Sequence, residues 1–180
     1  MKNIILLITL CISISASSQV TKITVQASGL TCSMCSNSIN KALKTLPFVA
    51  GVTPDIKTSS FDITIKPGTK PSFDDVRRKV EGAGFSVASM KADINFSNQK
   101  LVNDEHVSSN GMTMHFINVK DQTLNGIKTV QILDKGFVSA KTFKKNEVYT
   151  KMDCYRTGVA GSCCSKDGIA AGTRIYHVTI

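Results

Sequence analysis

The sequence predicts an α+β protein: a ferredoxin-like βαββαβ unit first, then a small, mainly antiparallel β unit. Three observations lead there. Apolar and polar residues alternate at Ile23–Ala27 and Phe61–Ile65, as in half-buried strands. Two segments carry apolar residues at helical spacing. From about Lys91 onward, Asn, Ser, Lys and Gly become frequent, and only short strand-like runs remain.

Taken in order, Ile23, Val25 and Ala27 alternate with Thr24, Gln26 and Ser28, giving a first strand. Ile39, Ala42, Leu43 and Leu46 then recur at i, i+3, i+4 and i+7, which places one apolar stripe against a core and leaves Asn37, Asn40, Lys41 and Lys44 on the wet side. This helix stops near Leu46-Pro47. Phe48 to Ile56 reads as a second strand whose Gly51 and Pro54 suit an edge position or a bulge. Phe61, Ile63 and Ile65 supply a third. Ser72 with Asp75 three residues on resembles a capping box, and Phe73, Val76, Val80 and Ala83 make the apolar face of a second helix. Gly84 stands at a helix C-cap position, and Phe85 to Met90 is a fourth strand. Strand, helix, strand, strand, helix, strand is the split βαβ plan, with both helices on one face of the sheet.

Strand-like runs beyond it are Thr113–Val119, Lys128–Leu133, Glu147–Met152 and Thr173–Ile180, with a short helix at Val138–Lys145. They suggest a small antiparallel unit over 112–180, such as a five-stranded barrel. Residues 91–111 read as a linker or long loop with room for a strand, so the expected division is 1–18, 19–90, 91–111 and 112–180.

Residues 1–18 read as a cleaved signal peptide: Lys2 opens it, Ile4–Ile14 is apolar, and Ala16-Ser17-Ser18 offers small residues to an export peptidase. The apolar run is shorter than the roughly 20 residues that cross a bilayer, and no later segment qualifies as a span. Lipid attachment at Cys11 is not expected, since Leu10 stands where a small residue belongs. The mature chain is therefore expected to be periplasmic or secreted. The net charge is +9, but Lys and Arg are scattered, densest at Arg77-Arg78-Lys79, with no interleaved aromatic residues. That argues against nucleic acid as a partner and for a solvated basic surface.

The chemistry concentrates at Gly29-Leu30-Thr31-Cys32-Ser33-Met34-Cys35, between the first strand and the first helix. A loop lets the two thiols converge, and the free N–H groups and positive dipole end of the helix favour thiolates, the metal-binding form. With Ala83-Gly84-Phe85, this motif makes Val20–Met90 resemble the heavy-metal-associated domain of copper chaperones, of copper-transporting ATPase tails and of the periplasmic mercury-binding protein. The resemblance implies that Cys32 and Cys35 are the metal pair and that Phe85 packs close to the metal loop. Leu30 stands where the family most often has Met, and Pro54-Asp55 interrupts the second strand.

Two thiolates with no neighbouring His or carboxylate in the motif satisfy Cu(I) or Hg(II), whereas structural Zn(II) takes four ligands. The expected function is an exported Cu(I) chaperone or scavenger. It passes its ion to a metal-transporting protein or another metal-binding domain, and no enzymatic step is required. Sequestration of Hg(II) or Ag(I) is the alternative. A thiol-disulfide oxidoreductase is the competing class, but Thr31 precedes the pair where an aromatic residue is usual there, and the element order differs.

Without Cys11, five of the six cysteines remain, an odd number in an exported chain. The segment between Cys154 and Cys163 holds Gly158 and Gly161 and can turn back, which favours a disulfide from Cys154 to Cys163 or Cys164. A second metal site is the alternative, with Cys154, Cys163 and Cys164 joined by His177 or His115 and with Met112 and Met114 as further soft donors. Met112 and Met114 also fit a plain core reading, since they alternate with period two. No motif assembles a catalytic set.

Overall fold

The structure, a computed structural model, describes residues 19–30, 32–109 and 111–180; the leader expected over 1–18, with Cys11, lies outside them. β1 (Gln19–Ser28), α1 (Ser33–Lys44), β2 (Val49–Asp55), β3 (Ser60–Ile65), α2 (Phe73–Gly82) and β4 (Ser86–Leu101) follow in the expected βαββαβ order. β1 lies between β3 and β4, antiparallel to both. β2 is the edge strand outside β3, with a register shift between Val49 and Gly51. That is where Gly51 and Pro54 are tolerated, because an edge strand has one unpaired side.

Both helices follow from local chemistry. In α1, Ile39 and Leu43 are buried, as is Leu46 just beyond its end, while Asn37, Lys41 and Lys44 are exposed. In α2, Ser72 Oγ accepts the Asp75 N–H at 3.1 Å, a cap that contributes roughly 1 kcal/mol. Its buried face is Phe73, Val76 and Val80, and Gly84 follows at φ +90°, a left-handed position that favours glycine.

β4 is where sequence and structure part. Expected to end at Met90, it runs 16 residues to Leu101. The reason is visible in its side chains: Met90, Ala92, Ile94 and Phe96 all turn to one buried face, so the period of two continues past the point where polar residues become common. One edge of β4 pairs with β1 from Ser86 to Asn95, and its other edge pairs with β7 (Gln122–Ile132) from Met90 to Leu101. The stretch 91–111 is thus mostly strand, since β5 (Glu105–Ser109) follows within it.

β6 (Met112–Phe116) pairs antiparallel with β5, and β8 (Ile175–Thr179) lies between β6, parallel, and β7, antiparallel. The result is one eight-stranded sheet in the order β2-β3-β1-β4-β7-β8-β6-β5. The β unit extends this sheet instead of closing into a five-stranded barrel, because β4 spends its free edge on β7 and β5 pairs with β6 alone among the described strands.

The expected short helix is present as α3 (Ala140–Asn146). Glu147–Met152, expected as a strand, is instead a 3₁₀ turn over Glu147–Tyr149 running on from α3. Val148 and Tyr149 are exposed there, and neither residue joins a strand of the sheet. α4 (Cys154–Thr157) and a 3₁₀ turn over Ser162–Asp167 complete the chain. One apolar core runs from Val20 and Ile23 through β4 to Tyr176 and Val178. α2 covers both halves, since Phe73 meets the Tyr176 ring edge to face at 4.9 Å.

Candidate metal centres

The first centre is at the surface, where β1 gives way to α1. Gly29 turns the chain at φ +78°, and Leu30 and Phe85 pack against the core behind the loop. Cys32 is the N-cap of α1, in extended conformation, and its Sγ accepts the Cys35 N–H at 3.2 Å. A thiol here does what Ser or Asp does at other helix starts. Cys32 is exposed and Cys35 half-buried. Hydrogen bonds from the Cys35 side chain and backbone lower the pKa of Cys32, and the same contact raises that of Cys35. Cys32 is therefore the more acidic of the two thiols. Neither joins a group of three or more His, Cys, Asp or Glu donors among the described residues.

The second centre is interior, and the sequence marks only part of it. All three histidines of the chain meet there. His106 on β5 stands opposite His115 on β6, and His115 stands beside His177 on β8, in direct register across three neighbouring strands. Their rings lie 4.4 Å and 5.0 Å apart. Cys154, at the start of α4, faces them: its Sγ is 3.5 Å from His177 Nε2, 3.8 Å from His115 Nδ1 and 3.9 Å from His106 Nε2. The 3₁₀ turn brings up Cys163 and Cys164, 3.3 Å apart at sulfur. Cys154, Cys163 and Cys164 form one compact donor group, and His106, His115 and Cys154 a second that shares Cys154.

Each imidazole is held from behind by a carboxylate. Asp167 Oδ2 is 2.7 Å from His106 Nδ1, Asp104 Oδ1 is 3.0 Å from His115 Nε2, and Asp134 Oδ1 is 2.7 Å from His177 Nδ1. A carboxylate only accepts, so in the neutral ring that nitrogen carries the proton. The opposite nitrogen of every ring then turns its lone pair toward Cys154. Burial, with the neighbouring His177 and His106, pulls the His115 pKa down to about 4, which keeps that ring neutral. Burial also pushes the Cys154 and Cys164 thiols up. At Cys163 burial works the same way but is outweighed by hydrogen bonds from the Cys154 backbone and the Cys164 thiol, so its pKa falls. All five described cysteines are free thiols.

His115, His177, Cys154, Cys163 and Cys164 are therefore brought together, but Met112 and Met114 are not part of the group. On β6 they alternate with His115 and fall on the other face, where Met114 packs in the core and both line a small cavity with Val20, Lys70 and Ile94. Period two decides this: if His115 faces the cluster, its odd neighbours cannot. His106 was missed because β5 lay in a stretch read as linker; the alternation of His106 and Ser108 with Val107 was the available signal.

Residues 24–86 match the family model of the heavy-metal-associated domain. Among solved structures, the chain is similar to the yeast copper transporter domain Ccc2a, described in apo and Cu(I)-loaded states, at 26% identity over 36% of this chain and 88% of that one, TM-score 0.34. It is also similar to the water-soluble region of the P-type ATPase CopA from Bacillus subtilis, at 27% identity over 46% and 54%, TM-score 0.36. A third is the CopZ metallochaperone, at 15% identity over 38% and 100%, TM-score 0.35. No curated protein matches the chain.

Proposed function

We propose that the protein, whose residues 24–86 match the heavy-metal-associated domain, binds one soft cation, Cu(I), between Cys32 and Cys35 and passes it to the thiolates of another metal-binding domain. The observation that carries this reading is the pair at the start of α1, with Cys32 exposed and its Sγ accepting the Cys35 N–H. Two sulfurs without further donors suit a cation content with two-coordinate surroundings, and they exclude a closed four-ligand Zn(II) site.

Transfer is ligand exchange. An incoming thiolate adds to the under-coordinated ion, one of Cys32 or Cys35 leaves, and the second incoming thiolate displaces the other, with no change of oxidation state. The partner of matching chemistry is the thiol-bearing soluble domain of a metal transporter. The leader read in residues 1–18 supports action outside the cytoplasm, and N-terminal sequencing of protein from the native host, expected to begin at Gln19, tests that part.

The metal reading is tested by competing the full chain against a cuprous chelator. Cys32→Ser/Cys35→Ser is expected to hold one Cu(I) equivalent fewer than the unaltered chain and to donate none to a second heavy-metal-associated domain. Equal stoichiometry and equal transfer would sink the reading.

A further inference from the structure

We propose that His106, His115, His177 and Cys154 form a second, buried metal centre for a Zn(II) or Cu(I) ion, with Cys163 and Cys164 as an adjoining sulfur position that shares Cys154. It is separate from the Cys32/Cys35 pair and does not depend on it.

The distances fit an ion. With metal–sulfur bonds of about 2.3 Å and metal–nitrogen bonds of about 2.0–2.1 Å, tetrahedral geometry sets sulfur and nitrogen ligands about 3.6 Å apart. Cys154 Sγ stands 3.5, 3.8 and 3.9 Å from the three imidazole nitrogens, and the donor atoms of His106, His115 and Cys154 all lie within 4.8 Å of one another, so these three already surround one position and His177 joins them as the rings draw together on an ion. The donor types fit as well. Imidazole suits zinc and copper, and thiolate selects zinc and Cu(I), so the mixed set narrows the choice to these two.

The surroundings are those of a ligand shell. Metal-bound histidines typically give their second nitrogen to a carboxylate, which fixes the tautomer and turns the ring. Here all three do so, each to a different aspartate on a different segment. Asp134 is in turn held by Arg174 Nη2 at 2.9 Å. A core histidine needs one partner for its N–H. It does not need two further histidines in register with it and a common sulfur before all three rings. Burial completes the picture: His115, His177 and Cys164 are fully buried, as is the His106 side chain, and Cys163 is half-buried beside them. Binding releases the Cys154 proton to solvent and leaves a thiolate on the metal.

The test uses the full chain in the Cys32→Ser/Cys35→Ser background, so that its outcome is independent of the surface site. Co(II) serves as the spectroscopic probe for the Zn(II) arm, and Cu(I) is titrated separately against a chelator. One equivalent of Co(II) should give intense visible bands of a tetrahedral ion with thiolate-to-cobalt charge transfer, and Zn(II) should displace it. If Cu(I) is the tighter ion, it will displace both. Cys154→Ser should remove the charge-transfer band and at least tenfold in affinity, and His177→Gln should weaken binding with the band retained. Asp104→Asn, which leaves every donor atom in place, should cost about tenfold. Far-UV circular dichroism monitors the fold of each variant, and the spectrum of the unaltered cluster carries the test even where a variant does not fold. Uptake of none of the three ions, an octahedral cobalt spectrum, or a Cys154 disulfide to Cys163 or Cys164 in protein purified without reductant each overturns the proposal.

Discussion

Arg174 and Asp74 bind the two halves of the molecule to each other: Arg174 Nε lies 2.8 Å from Asp74 Oδ2, between the residue before β8 and the first turn of α2. The Tyr176 hydroxyl donates to the same carboxylate oxygen at 2.9 Å, and the guanidinium reaches on to Asp134. A single cation thus connects the capped helix of the first half to the carboxylate that steadies His177.

This pair gives stability a pH dependence of defined sign. Burial by itself would raise the Asp74 pKa, but the hydrogen bond and charge of Arg174, with the Tyr176 hydroxyl, outweigh it and hold the carboxylate below its ordinary value. A depressed folded-state pKa contributes stability above the unfolded value, about 3.9, which is lost as pH falls through the folded one. Asp74→Asn should cost about 1–2 kcal/mol at neutral pH and little at pH 2. Urea midpoints at the two pH values check this; an equal loss at both would remove the ionic contribution.

Phe96 tests whether the sheet behaves as one cooperative unit. It is buried on β4 beyond the expected end of the strand and meets Phe116 of β6 at 6.3 Å. Phe96→Ala should cost about 3–5 kcal/mol. Because one core serves both halves, thermal unfolding should remain a single transition followed alike by helix signal and by tyrosine fluorescence. Two separate transitions would mean that the halves unfold independently.

Gly158 closes α4 at φ +73°, its N–H bonded to the Cys154 carbonyl at 2.8 Å. A Cβ there would stand 3.1 Å from Arg174 Nη1. Gly158→Ala should therefore lose about 1–2 kcal/mol from the left-handed backbone, with a further loss as the guanidinium is displaced. An unchanged denaturation midpoint would contradict this account of the turn.

Met34, between the two surface cysteines, is 79% exposed. An apolar side chain left in water beside the thiol pair is suited to meeting a partner, if the pair transfers metal as proposed. Met34→Asp should leave stability within about 0.5 kcal/mol and Cu(I) retention against a chelator unchanged, while slowing transfer to a second domain several-fold. Stopped-flow transfer kinetics check it, and an unaltered rate would show that Met34 takes no part.

The first half was legible because its information is local. Cys32 to Cys35, the Ile39–Leu46 stripe, the Ser72 cap and Gly84 each declare a structure within a few residues of themselves. β4 was under-read because Lys91, Asp93 and Asn95 look like linker residues, although they alternate with Ala92, Ile94 and Phe96. The interior centre was hidden for a different reason. His106, His115 and His177 are joined by strand register, and the parallel β6–β8 pairing connects residues more than sixty positions apart. No spacing rule encodes that, and Asp134 and Asp167 become partners of His177 and His106 only once the sheet has formed.

The uninterrupted passage of β4 from β1 to β7 has a mechanical outcome. Ten residue pairs on one edge and nine on the other clamp the same backbone, so the molecule has no joint at the place where tandem modules ordinarily swivel. A cation bound at the loop tip, as proposed, could not be swung inward by a hinge. Whatever reaches the histidine-lined interior must arrive by diffusion or be delivered by another molecule.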